Sequence, residues 1–289
     1  MKDNKKTGGL WLALGFVLLI AAMVLLWYLA QHSGFFGPRA AESVAEQQEP
    51  VQVQRGEMPQ PSLEPPDIME SVQEAPDENA VSTVENETDE QEPAPYQSPV
   101  DFEALWAINP DVCAWLYIPG GNISLPVMQH PSDDAYYLTH DAQGESSSDG
   151  AIFIEKNYNN SDFNDMCTVV YGHRMYSGEM FGTLQATYSD AESFAESQYI
   201  VIYLPDREIV YQVFAALPYD NSHILYYHDF DDQLSYRKFI NTIYATTGIG
   251  TNLDEALKPQ YGDRLLILST CLWGDKDNRY LVLAKERTE

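Results

Sequence analysis

Beyond residue 100 the chain falls into short apolar runs divided by turn residues. The runs are 114–118, 124–129, 151–155, 168–171, 199–204, 208–217, 264–269 and 280–285, rich in Val, Ile and Tyr. Pro119-Gly120-Gly121-Asn122 and Pro205-Asp206-Arg207 are the sharpest turn signals between them. Eight such segments predict a mostly antiparallel β structure, either closed on itself or folded into a sandwich. Helical spacing interrupts the pattern. Asp101 opens a short helix with apolar residues at 102, 105, 106 and 108, stopped by Asn109-Pro110. Residues 231–244 carry apolar positions at 236, 239, 240, 243 and 244, with acids first and bases later, which predicts an amphipathic helix inserted between two strands. Residues 179–184 and 191–194 read as two shorter helices.

The first hundred residues follow other rules. Residues 10–30 hold no charge and are almost wholly Leu, Ile, Val, Ala, Met, Phe and Trp. At about 1.5 Å per residue that run matches a bilayer core of roughly 30 Å, and it is long for a cleaved signal sequence. Lys2, Lys5 and Lys6 precede it, so the basic-inside bias predicts a single-pass anchor with residues 1–9 in the cytoplasm and the rest of the chain outside. Residues 41–100 contain fifteen Asp and Glu against one Arg, with repeated Pro, Gln and Ser. Such a composition cannot bury enough apolar surface to offset its ordering entropy, so residues 31–100 are expected to be a disordered tether. Residues 101–289 are the expected globular domain.

Charge narrows the partners. The domain has 28 acidic and 11 basic residues, a balance of −17, which argues against nucleic acid and anionic lipid surfaces. Three cysteines, Cys113, Cys167 and Cys271, form no closed even set and no Cys-x-x-Cys pair. Cys113 and Cys167 lie in apolar settings where inert buried thiols are common. His130, His140, His223 and His228 have no partners at metal-ligand spacing, Asp229, Asp231 and Asp232 read as the start of a helix, and no phosphate-binding Gly loop occurs. No metal or cofactor is expected.

Cys271 has chemistry around it. It ends the apolar run Ile267-Leu268-Ser269-Thr270-Cys271, and Arg279 begins the next run, so the two can face each other across a hairpin. His173 ends the run Val169-Val170-Tyr171-Gly172-His173. A thiol reacts as its thiolate, which an imidazole can favour by ion pairing before returning the proton to a leaving group. A guanidinium stays charged and presents several donors to an oxyanion or a peptide backbone. Singly, each residue is more often a packing thiol, a hydrogen-bonded histidine or a solvated charge.

Their joint context resembles the sortases, cysteine transpeptidases of Gram-positive cell surfaces, and most closely class B. The resemblance lies in Leu268-Ser269-Thr270-Cys271, in Val170-Tyr171-Gly172-His173-Arg174-Met175 followed by Met180-Phe181 and Leu184, and in Arg279-Tyr280-Leu281-Val282. Ile108-Asn109-Pro110-Asp111-Val112 leading into Trp115, Pro126-Val127-Met128-Gln129 and Tyr137-Leu138 extend it over most of 101–285. Ile267 departs from the family's frequent Thr, while keeping strand character. The helix at 231–244 falls between the sixth and seventh strands, where class B members carry one.

The resemblance implies an eight-stranded β-barrel with short N-terminal helices and that inserted helix. It implies that Cys271 attacks a Thr–Gly-type or Thr–Asn-type bond in a C-terminal sorting motif of a surface protein, and that an amine of a peptidoglycan precursor resolves the acyl-enzyme. His173 then becomes the acid/base and Arg279 the oxyanion or substrate stabiliser. Ser269 and Thr270 are expected along the substrate groove, with Tyr226 or Tyr227 reaching it from the inserted loop. Two other functions stay open on the sequence: a cysteine endopeptidase in which water replaces the amine, and a non-catalytic peptide-binding module.

Overall fold

Nine strands make one sheet in the computed structural model, which describes residues 58–64, 96–120 and 123–288. They are β1 (Val112–Ile118), β2 (Ile123–Met128), β3 (Ile152–Phe153), β4 (Cys167–Tyr171), β5 (Tyr199–Tyr203), β6 (Glu208–Tyr219), β7 (Asn252–Leu253), β8 (Leu265–Leu272) and β9 (Asp275–Glu286). Their spatial order is β5-β1-β2-β3-β4-β8-β9-β6-β7, and β5 also pairs with β6. That extra pairing closes eight strands into a barrel and leaves the two-residue β7 on its margin. The eight expected strands are therefore the eight barrel strands; the closed form removes the unpaired edges that an open sheet would expose. Two contacts are parallel, β2 with β3 and β4 with β8.

Alternation along the strands builds the core. Leu266 and Leu268 of β8 and Tyr280, Val282 and Ala284 of β9 point into the cluster that fills the barrel, together with Ile200 and Ile202 of β5. Leu265, Ile267, Leu281 and Leu283 face the other way, into a second cluster. There they meet the long helix, Gln233–Ala245, through its buried Tyr236, Phe239, Ile240 and Ile243. Both faces of β8 are covered, which is why it reads as an unbroken apolar run. Asp232 caps this helix, its carboxylate accepting from the Ser235 N–H at 2.8 Å.

A third cluster lies under the first helix, Phe102–Ile108, capped by Asp101 as its sequence predicts. Trp115 is fully buried there, and its indole N–H donates to Ser124 Oγ at 2.9 Å. Met58 is buried in the same cluster and Leu63 packs against it. The stretch expected as a tether is thus docked on the domain at 58–64; the rest of 31–95 lies outside the described residues.

Two further expectations change. The helix expected at 179–184 begins only at Leu184 and runs to Ser189, followed by a second at Ala191–Glu196. The preceding residues are held in a tight loop by a bridge between Arg174 and Met180, with Met180 at φ 51°. The single-pass membrane placement, with the N-terminus cytoplasmic and the domain outside, is corrected: among the described residues no helix is long and apolar enough to cross a membrane. Residues 10–30, on which that expectation rested, lie outside the described residues.

One side chain completes the barrel wall. β3 meets β4 only through Phe153 and Tyr171, so the first residues of β4 have no strand on that side. Asn159, 3% exposed, fills the gap: its Nδ2 donates to Cys167 O at 2.8 Å and its Oδ1 accepts from Val169 N–H at 3.1 Å. Its own carbonyl accepts from Gln129 Nε2 at 2.9 Å. Asn159→Ala leaves two buried backbone groups of β4 unpaired and is expected to lower the stability of the domain by about 2–4 kcal/mol, measured by urea denaturation. An unchanged midpoint would show that the side chain does not substitute for a strand.

Candidate active site

Strand register brings three residues into one row. β4 and β8 run parallel with Tyr171 opposite Ser269, and Gly172 N–H donates to Ser269 O at 3.1 Å. Continuing in step, His173 stands level with Cys271. On the other side, antiparallel β9 sets Arg279 directly opposite Cys271. Neighbouring strands lie about 4.8 Å apart, so imidazole, thiol and guanidinium arise from three adjacent backbone positions at one end of the barrel. The next pair beyond Cys271 is Leu272 with Asp275, so residues 276–278 bulge out of β9. Arg279 Nη1 donates back to this bulge, to Lys276 O at 3.2 Å and Asn278 O at 3.3 Å.

His173 is held from the opposite wall. Its Nε2 lies 2.8 Å from Leu138 O, and a carbonyl only accepts, so Nε2 carries the proton and Nδ1 is the basic nitrogen of the neutral ring. Leu138 ends a 3-10 turn, Tyr136–Leu138, which is itself tied down. Tyr137 O–H donates to Asp111 Oδ2 at 2.8 Å and accepts from Asn109 Nδ2 at 2.9 Å. Asn109-Pro110-Asp111 is the corner between the first helix and β1, so that corner sets the height of the imidazole. Gly150 completes the seat with φ 63°; a Cβ there would lie 2.5 Å from Tyr137 O and 2.9 Å from His173 Cδ2.

Cys271, His173 and Arg279 all line an open cavity of about 350 Å³. Ser269 and Thr270 line it too, although both are largely buried. Thr270 Oγ1 finds no hydrogen-bond partner among the described residues. The structure does not bring Tyr226 and Tyr227 to this cavity. They sit in the short helix Ile224–Tyr227 with 68% and 66% exposure, and Tyr226 borders a separate depression with Tyr158 and Asp231. The cavity takes the residues just before them, Ser222, His223 and Ile224, because the N-terminal end of that one-turn helix faces inward. Cys113 and Cys167 are not in the lining; burial pushes the Cys113 thiol up to about 12 and the Cys167 thiol well above its usual value.

Sequence reasoning missed Glu155 and His223. Tyr226 N–H donates to His223 Nδ1 at 3.1 Å, so the proton sits on Nε2, which donates to Glu155 Oε2 at 2.8 Å. The two residues are 68 positions apart, and no local pattern announces the pair. Burial raises the Glu155 carboxyl above its usual range, and the neighbouring His223 opposes that shift. A carboxyl whose folded-state value is raised favours the fold below its unfolded value of about 4.3, and this contribution is lost as pH rises through the folded-state value. Glu155→Gln keeps an acceptor for His223 and cannot ionise. Its thermal midpoint is expected to gain on the native chain as pH rises from about 4.5 to about 8. A constant difference across that range would show that the charge carries no cost.

Comparison with known proteins agrees with this geometry. A sortase-domain family model matches residues 116–287. Sortase B of Staphylococcus aureus is 28% identical over 193 residues, covering 64% of this chain and 73% of its own, and sortase B of Listeria monocytogenes is 30% identical over 182 residues, covering 59% and 67%. The structure of sortase B from Clostridium perfringens superposes with a TM-score of 0.56 at 26% identity, over 65% of this chain and 100% of that one. A family match over more than half the chain, with the barrel, the inserted helix and the ordered His, Cys and Arg elements, settles the assignment: the chain belongs to the sortases, as a cysteine transpeptidase of class B.

Proposed function

We propose that Cys271 is the nucleophile of a two-step acyl transfer on a sorting-motif peptide. The observation that carries this is the single row of His173, Cys271 and Arg279 along one cavity. In the first step the Cys271 thiolate forms a bond to the peptide carbonyl carbon, the C–N bond breaks, and protonated His173 gives its proton to the departing amine. In the second, an incoming amine forms the new C–N bond, the C–S bond breaks, and the amine's proton passes to His173. Arg279 supplies donors to the oxyanion of each tetrahedral intermediate or holds the peptide backbone. Ser269 and Thr270 form the wall beside the nucleophile. Residues 101–289 carry the whole apparatus, acting as a peptidase of the thiol class when water takes the place of the amine.

Support for the peptide substrate comes from Staphylococcus aureus sortase B, solved as a substrate complex and similar to this chain with a TM-score of 0.55 at 25% identity. The amine is read as that of a peptidoglycan precursor. Incubation of the full chain with a library of sorting-motif peptides should yield cleaved product and a Cys271 acyl adduct visible by mass spectrometry. Cys271→Ala is expected to cost about 1000-fold or more in turnover. Retained turnover in that variant would remove the assignment, and adduct-free peptide binding would favour a binding module.

Gly150 tests the seat of the imidazole. Gly150→Ala places a side chain at positive φ and against the His173 ring, so stability should fall by about 1–3 kcal/mol and the rate of acyl-adduct formation by about 10-fold or more. If the stability falls while the adduct forms at the native rate, Gly150 supports the fold and not the histidine.

A further inference from the structure

Arg174 stands one residue after His173, Trp273 two residues after Cys271, and Tyr176 beside them. The Arg174 guanidinium carbon lies 4.7 Å from the Tyr176 ring centre and 4.8 Å from the Trp273 ring. The two rings meet at 79° with centres 5.9 Å apart, so the cation occupies the corner of two aromatic walls. Tyr176 is 83% exposed and Trp273 61%. The corner is anchored: Trp273 N–H donates to Gln185 Oε1 at 2.7 Å, and Arg174 is bridged through its backbone to Met180. None of these residues belongs to the lining of the peptide cavity, so the corner flanks Cys271 outside it.

What the cation lacks is an acceptor. Nε and Nη1 are out of solvent and have no hydrogen-bond partner among the described residues, and none of the described carboxylates forms an ion pair with Arg174. In a domain with 28 acidic residues that is informative, because buried guanidinium donors without an acceptor are costly. With Nη2, each of these atoms makes a planar fork that suits a carboxylate, which two N–H groups hold side by side.

We propose that Arg174, Tyr176 and Trp273 form a carboxylate-binding subsite for the second substrate, selecting an acceptor amine that also carries a free carboxylate. This rests on the transfer reaction proposed above. The acceptor's carboxylate docks on the guanidinium edge, with the lightly held Tyr176 ring moving aside. Its amine then reaches the Cys271 thioester from the side opposite the peptide. The carboxylate takes no part in bond making: the amine nitrogen joins the acyl carbon, the C–S bond breaks, and the proton goes to His173.

Triglycine and triglycinamide test this, since they share an amine and differ in the terminal charge. With the native chain, transfer of the acyl group to triglycine should exceed transfer to triglycinamide by about 10-fold. In Arg174→Ala the ratio should fall to near one, and Arg174→Lys should retain part of it. Intrinsic differences between the two amines divide out when the ratios are compared between variants. A native ratio near one, or an unchanged ratio in Arg174→Ala, overturns the subsite. A binding measurement independent of turnover accompanies it: the Trp273 indole N–H resonance, assigned by its loss in Trp273→Phe, should shift on titration with triglycine and stay still with triglycinamide at equal ionic strength. If no acyl adduct forms with any peptide, the transfer reaction fails, and the indole titration alone decides the subsite: a shift upholds it and no shift ends it.

Discussion

The parallel contact between β4 and β8 is the constraint on which the site depends. In an otherwise largely antiparallel barrel it joins two strands almost a hundred residues apart, and its register of Tyr171 opposite Ser269 fixes which residues emerge level with each other at the strand ends. A slip of one residue would turn every side chain of β8 to the opposite face, moving Leu266 and Leu268 out of the barrel and Cys271 away from the cavity. Burial on both faces makes such a slip costly, because the barrel interior and the long helix each demand their own alternate set of β8 residues. The packing that stabilises the strand is thus also what aligns the thiol with the imidazole and the guanidinium.

Positioning from the opposite wall adds a second level. Register sets the backbone of His173, but ring orientation comes from Leu138 O, and Leu138 is placed by Tyr137, Asn109 and Asp111. Hydrogen bonds of 2.8 and 2.9 Å link the corner at the start of β1 to the imidazole. Donation to a backbone carbonyl also selects the tautomer, leaving Nδ1 as the unprotonated nitrogen of the neutral ring. Since Asn109 and Tyr137 are buried, this chain of hydrogen bonds has little freedom to move, and the imidazole it holds is fixed in place.

The barrel strands were legible because each carries its own local signal. Period-two burial, β-branched residues and turn chemistry are all short-range, and the long helix declared itself through Asp232 and the spacing of Tyr236, Phe239, Ile240 and Ile243. His173, Cys271 and Arg279 were legible for a related reason, since each sits at the end of such a strand. What stayed hidden is set by distance along the chain. Glu155 and His223 meet only because β3 and the Ile224–Tyr227 helix converge on the same cavity. Asn159 replaces a missing strand partner that no one-dimensional pattern reveals. Tyr226 and Tyr227 were expected at the groove by proximity to its inserted loop, yet the one-turn helix Ile224–Tyr227 turns its N-cap His223 and Ile224 inward and leaves both tyrosines exposed. Met58 shows the same limit: acidic and proline-rich surroundings hide a single apolar residue that finds a seat beside the first helix.

Charge gives the site its polarity. The domain is strongly acidic, so long-range attraction does little for an anionic ligand, and recognition of one must come from short-range contacts that screening and self-repulsion cannot erase. Arg279 pairs across the hairpin with Cys271, Arg174 follows His173 in the chain, and the two guanidinium groups are held in different ways. Arg279 bonds to the carbonyls of its own bulge at the cavity wall, whereas the Arg174 guanidinium sits over two aromatic rings, and its Nε and Nη1 have no acceptor among the described residues. A face-held guanidinium keeps its hydrogen-bonding capacity for something that arrives; one bonded through its edge has already committed part of it. The two cations therefore differ in what they have left to offer, which suits an enzyme that binds a donor and an acceptor in turn.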